Sequence, residues 1–256
     1  MTLLLGNQNS RKTLYNLEFP SFRGPKLATV LACGLLAVTA ACKHPQTREV
    51  AGEVNKEPLS TVLPVVLVHG WNGQSSDFSE LVKRLVSFGY PQEKVQAFNY
   101  YSRTSNRDIA TQLGEFINQV LSDTGAPQVD VVAFSMGTLS SRYCLKFLSC
   151  TGLVRKYISI AGPHHGSQLA QTCAIYDIAC EEMVPGSGVL SQLNAGDETP
   201  GDTKYFSLWS KCDGLVYPPE SSLLEGATNV EMPCIHHLEM LNNSVVLDRV
   251  LAILSS

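Results

Sequence analysis

The sequence has no excess of positive charge, and that excludes a first class of partner. Its 19 Lys and Arg face 23 Asp and Glu, a net charge of −4 at pH 7, whereas nucleic-acid binders carry basic surfaces that neutralise phosphates. Charged residues make up only 16% of the chain against 44% hydrophobic, which excludes a disordered polymer and fits one globular domain with a substantial core. No repeat of fixed period is present, so solenoids and propellers are excluded. The N-terminal apolar run "LATVLACGLLAVTAA", residues 27–41, falls short of the roughly 20 residues that span a bilayer.

What that run does have is the order of a secretory signal: Arg11, Lys12, Arg23 and Lys26 precede it and small residues follow. It closes as "VTAAC", which places Cys42 as in a bacterial lipobox. That resemblance implies cleavage before Cys42, lipidation of its thiol and attachment to the membrane. The alternative is cleavage after "VTA", Val38 to Ala40, releasing a soluble protein. Residues 1–42 are therefore read as a signal peptide, 43–60 as a polar linker and 61–256 as the working domain. The destination is export, either secreted or anchored in a bacterial cell envelope. Without residues 1–42 the chain keeps 15 Lys and Arg against 22 Asp and Glu, a net charge of −7.

Six further cysteines remain: Cys144, Cys150, Cys173, Cys180, Cys212 and Cys234. An even count in an oxidising compartment reads as disulfides. Closeness along the chain pairs Cys144 with Cys150 and Cys173 with Cys180, leaving Cys212 for Cys234. Six residues of helix would separate Cα atoms by ~9 Å, beyond the disulfide limit of about 7 Å, so a helix through Cys144 has to end before Cys150. Cys212 and Cys234 with His236 and His237 lack a zinc spacing, and no metal is expected.

Strand and helix signals alternate. "TVLPVVLVHG" suits a strand buried on both faces, and residues 75–89 carry an apolar stripe of Phe78, Leu81, Val82 and Leu85. "KVQAFNY", "QVDVVAF", "RKYISIAG", "KYFSLWS" and "NVEMP" read as further strands, with helices over 107–123, 137–148, 187–194 and 243–253. The pattern predicts an α/β fold: a mainly parallel sheet covered by helices on both faces, with strand-to-helix loops along one edge.

Three of those loops carry chemistry. Ser135 follows "DVVAF" and stands between Ala133 and Gly137, the small neighbours that a sharp, strained strand-to-helix turn requires, although the first glycine of G-x-S-x-G is an alanine here. A capping serine is the plain alternative. "HGWNG", His69 to Gly73, follows the first strand. Together the loops offer the backbone N–H groups of Trp71 and Met136 as an oxyanion pair. His69 reads as a hydrogen-bonder that fixes its loop. Asp213 lies after one later strand, and His236 and His237 after the next. A Cys212 to Cys234 bridge would tie these loops together and favours Asp213 over Asp197, Glu198 and Asp202, whose polar segment reads as a solvated loop.

Over residues 62–255 the chain resembles the small bacterial triacylglycerol lipases of class 2, in the α/β-hydrolase superfamily. The landmarks are "PVVLVHGWNG", "VDVVAFSMG", "SIAGPHHGS", "WSKCDGLVYPPES" and "GATNVEMPCIHHLEML". The resemblance implies a compact α/β-hydrolase fold with minimal or no lid, in which Ser135 is the nucleophile, Asp213 the acid and His237 the base. It implies a serine ester hydrolase of acylglycerols or similar esters, working without a cofactor as a monomer. A polyester depolymerase, phospholipase or acyltransferase on the same triad is the first alternative, and a non-catalytic surface lipoprotein the second. Phe134 and Thr138 depart from the family's usual histidine and glycine and are expected to border the acyl site. His164 and His165 are expected in the site's wall, and residues 173–194 as a disulfide-pinned rim or small lid.

Overall fold

A computed structural model describes residues 62–256. The signal segment, Cys42 and the linker 43–60 lie outside the described residues. Six parallel strands form one sheet in the order β2-β1-β3-β4-β5-β6, with β1 at Val65–Val68, β2 at Val95–Phe98, β3 at Val129–Phe134, β4 at Val154–Ile160, β5 at Lys204–Trp209 and β6 at Thr228–Glu231. Alternate side chains of each strand feed opposite faces. Val66, Val68, Val131 and Ala133 join one core, whereas Val65, Leu67, Val132 and Phe134 join the other.

Helices α1 (Ser79–Phe88) and α6 (Ser244–Leu254) cover the second of those faces, and α2 (Asn106–Thr124) and α3 (Gly137–Phe147) the first. The stripe of α1 is buried at Leu81 and Leu85, each fully enclosed; truncating such a leucine costs about 2–5 kcal/mol. Gly89, at φ 115°, ends α1 in the left-handed conformation that suits glycine. Helix α3 stops at Phe147, with Ser149 at φ 61° turning the chain back so that Cys150 reaches Cys144 with Cα atoms 5.5 Å apart.

The order of the strands positions the site. From β1 the chain passes to β2 on one side and then to β3 on the other, so the crossovers diverge and leave a crevice at the carboxyl ends of β1 and β3. Val68 pairs with Ala133, which sets the loops beginning at His69 and Ser135 level with each other. Two short helices beyond β4 were not legible as a pair: α4 (Ile178–Glu182) joins the expected α5 (Gly188–Leu193). The segment "NAGDETPGD" corrects the expectation of a solvated loop. Asp197 and Asp202 are exposed, but Glu198 is buried, with Arg142 of α3 at 3.7 Å and His165 at 3.1 Å.

Candidate active site

Ser135 takes φ 53°, a conformation that costs a non-glycine residue about 1–3 kcal/mol and recurs where a side chain has to be presented. Its own N–H donates to Ile160 O at 2.9 Å, and its carbonyl accepts from Thr138 N at 3.0 Å and Thr138 Oγ1 at 2.6 Å. The turn is tight because α3 and the loop after β1 nearly touch. A Cβ on Gly137 would stand 2.2 Å from His69 O, and one on Gly70 would stand 2.9 Å from Ser135 Cβ.

The structure brings three of the singled-out side chains into one line. Ser135 Oγ donates to His237 Nε2 at 2.9 Å, and His237 Nδ1 donates to both carboxylate oxygens of Asp213 at 2.9 and 2.8 Å. Because a carboxylate only accepts, Nδ1 carries the proton and Nε2 is left to accept from serine. Asp213 is further fixed by Leu215 N at 3.0 Å and Val216 N at 2.6 Å, while its own carbonyl accepts from His237 N at 2.8 Å. Cys212 and Cys234 are disulfide-bonded, joining the two loops, and Ser210 Oγ bridges them again by donating to Pro233 O and accepting from Ile235 N. The remaining pairs, Cys144 with Cys150 and Cys173 with Cys180, are bonded as well. His236, one residue away, is exposed and outside the line.

Trp71 and Met136 flank Ser135. Among the described residues neither backbone N–H has a partner within the chain, whereas Asn72 N–H is occupied by Ser102 Oγ at 2.8 Å. A cavity of about 620 Å³ opens here, with Ser135 and His237 in its wall beside Trp71, Leu169, Ala170, Met183, Val216 and Leu238. Its walls are largely apolar, with few polar groups beside Ser135 and His237.

Three expectations about the wall need correction. Pro163 lines the cavity, not His164 or His165. His164 is fully buried with Nε2 2.9 Å from Ser159 Oγ, and burial lowers its pKa well below the usual imidazole value. His165 faces Glu198, whose hydrogen bond raises its pKa. Thr138 is buried behind Ser135, because the first turn of α3 points that side chain at the Ser135 carbonyl. Phe134 does line the cavity and also packs its ring 4.9 Å from that of His237. His69 is buried, stacked 4.0 Å from Tyr100, with Nδ1 at 3.0 Å from Gly70 O; burial lowers its pKa.

A family model described as Lipase (class 2) matches residues 62–248. The chain belongs to the class 2 lipase family. A stretch of 118 residues, 43% of the chain, is 31% identical to triacylglycerol lipases of Pseudarthrobacter phenanthrenivorans and Burkholderia plantarii, covering 36% and 32% of those proteins. The chain thus spans about a third of the length of the curated relatives it matches. Among solved structures, the mature form of Bacillus licheniformis lipase BlEst2 superposes with a TM-score of 0.66 at 19% identity, covering 77% of this chain and 93% of that one. Aspergillus fumigatus lipase B gives 0.62 at 16% identity over 76% and 53%. The shared fold is that of the α/β-hydrolases.

The sequence did not point to the support beneath the His69 to Gly73 loop of this member of the class 2 lipase family. Tyr100 Oη donates to His69 O, Ser102 holds Asn72, and Asp177 accepts from Trp71 Nε1 at 2.9 Å. Only Asp177 left a local signal, as an acid placed to cap the short helix that follows it.

Proposed function

We propose that the protein is a serine carboxylic-ester hydrolase, a lipase or esterase acting on acylglycerols or similar esters. The observation that carries this reading is the hydrogen-bonded line from Ser135 through His237 to Asp213, at 2.9 and 2.8 Å, whose serine end opens into an apolar cavity. His237 takes the proton as Ser135 Oγ attacks the ester carbonyl, Asp213 holds the imidazole, and the N–H groups of Trp71 and Met136 receive the oxyanion. The same imidazole then protonates the leaving alcohol and activates the water that releases the acid. No step calls on a cofactor.

The rim favours a lipid-like ester. Leu169, Ile175, Tyr176, Leu215, Tyr217 and Leu238 are all exposed on the segments that build the cavity. Three disulfides suit an oxidising compartment, in keeping with export of the chain, either secreted or anchored through a lipidated Cys42. Hydrolysis of p-nitrophenyl esters from acetate to palmitate tests the assignment. Ser135→Ala and His237→Ala should lower kcat by at least about 10³-fold, while His236→Ala should retain it. Turnover surviving in Ser135→Ala, or loss confined to His236→Ala, would reassign the site. A bias toward long chains would make the enzyme a lipase and a bias toward short ones an esterase.

A further inference from the structure

The segment expected to form a lid is fastened at several points. The Cys173 to Cys180 disulfide closes it. Just beyond that bond Glu182 accepts from Ser105 Oγ at 2.6 Å, Asn106 N at 2.6 Å and Asn106 Nδ2 at 2.9 Å, a buried carboxylate at the positive end of α2. Within the loop that the disulfide closes lies Asp177, also buried. Its Oδ1 accepts from Ala179 N at 2.9 Å and Cys180 N at 3.4 Å, and its Oδ2 accepts from Trp71 Nε1 at 2.9 Å and Arg103 Nε at 2.7 Å. The Arg103 guanidinium also sits 5.7 Å from the centre of the Trp71 ring. Burial pushes the Asp177 carboxyl up, but the hydrogen bonds from Arg103, Trp71 and the two backbone groups outweigh it and hold it below the usual carboxylate range.

One oxygen of this carboxylate therefore caps α4 while the other grips the oxyanion loop. The residues on either side of Trp71 along that loop are tied by other contacts: His69 O accepts from Tyr100 Oη, and Asn72 N donates to Ser102 Oγ. Among the described residues the Trp71 N–H itself has no such tie, so the anchor nearest to it is its own indole. Resting on the reading of Trp71 as an oxyanion donor, we propose that Asp177 is a positioning residue: by fixing the indole it fixes where the Trp71 N–H points, and the disulfide-closed segment buttresses the active site instead of gating it.

Asp177→Asn isolates the grip, because asparagine caps a helix as well as aspartate does but has lost the charge and one acceptor facing Trp71 and Arg103. Trp71→Phe keeps a ring and the backbone N–H while deleting the indole donor. Removing an oxyanion donor outright costs about 10²–10³ in kcat, and misdirecting one costs less. With p-nitrophenyl butyrate, each single variant should lose about 10-fold in kcat with KM changed by less than about 2-fold. The double variant should fall no lower than the worse single one, since both act through one contact. The chain has only two tryptophans, Trp71 and Trp209, so indole N–H resonances report the contact separately; Asp177→Asn should move one and leave the other. Additive losses, an effect on KM alone, or an unchanged kcat with a shifted Trp71 resonance would each overturn the proposal. Turnover surviving in Ser135→Ala would instead overturn the assignment on which it rests, and the resonance shift would still report whether Asp177 holds Trp71.

Discussion

Gly137 is the position where one added carbon should do the most damage, and the direction of the effect is decided by competing magnitudes. It is the first residue of α3, where alanine in place of glycine would ordinarily stabilise a helix by up to about 1 kcal/mol. The new Cβ, however, would stand 2.2 Å from His69 O and 2.8 Å from Val68 O, about 1 Å inside ordinary van der Waals contact with backbone that no rotamer change can relieve. Overpacking of this kind costs about 1–3 kcal/mol, so the clash outweighs the propensity gain. For a domain of this size each kcal/mol moves Tm by about 2–4 °C, which predicts a fall of a few degrees. Activity should fall further. The only relief is for α3 and the loop after β1 to separate, carrying Ser135 and Met136 away from Trp71, and a misplacement of about 1 Å can cost about 10²-fold in kcat. The matched control is Gly188→Ala, at the first residue of α5, where an added Cβ meets nothing within 4 Å; it should leave kcat alone and hold or raise Tm. Calorimetry and ester turnover on the two variants side by side provide the check. A Gly137→Ala protein with unchanged Tm and kcat would refute the close approach of the two loops.

Two further outcomes follow from the buried charges beside α3. Glu198→Ala strips the carboxylate from a buried Arg142 and should cost about 3–5 kcal/mol, read as a lowered denaturation midpoint in urea; a loss under about 1 kcal/mol would mean that Arg142 does not depend on Glu198. The His165 to Glu198 contact should make stability depend on pH. The raised pKa of His165 gives a contribution that is full below 6.5 and lost as pH rises through the folded value, whereas the lowered pKa of Glu198 gives one that is full above 4.5 and lost as pH falls. The Tm advantage of the wild type over His165→Gln should therefore be widest between pH 4.5 and 6.5 and narrow in alkaline buffer, and a gap that is flat with pH would refute the linkage.

The fold was legible because burial on both faces of a parallel sheet writes itself into the chain as short apolar runs. Val65–Val68 and Val129–Phe134 are buried throughout, and the helices between them keep a 3.6-residue stripe. The Cys144 to Cys150 spacing was legible for a different reason, since disulfide geometry and helix geometry are incompatible over six residues. Helix α4 escaped notice because five residues are too few for a periodic signal; it is held by the Asp177 cap and the Cys173 to Cys180 bond, neither of which is periodic. Glu198 was misread because composition describes a segment's average, and the partner that buries it stands in another element. A clue existed in α3: Arg142 is three residues from Leu139 and three from Leu145, both buried, so helical spacing puts a cation on the apolar stripe, where it calls for a carboxylate from elsewhere.

The candidate site divides along the same line. The Ser135 turn, Asp213 and His237 can be found from residue type and order because the proposed acyl transfer calls for a nucleophile, a base and an acid whatever surrounds them. The residues that aim them are fixed only by shape. Tyr100, Ser102 and Asp177 share no motif, yet each bonds one of three neighbours, His69, Asn72 and Trp71, at different atoms. Any hydroxyl or carboxylate in the right place would serve, so chemistry leaves little pattern there to read. The consequence is unequal tolerance. On the proposed mechanism, replacing a member of the Ser135, His237 and Asp213 line removes a reacting group that no neighbour supplies, whereas replacing a supporting residue shifts a donor by a fraction of an ångström and should lower kcat by a graded amount. Variation among related lipases should accordingly concentrate in the loops after β2 and β4, which hold the His69 to Gly73 loop from behind.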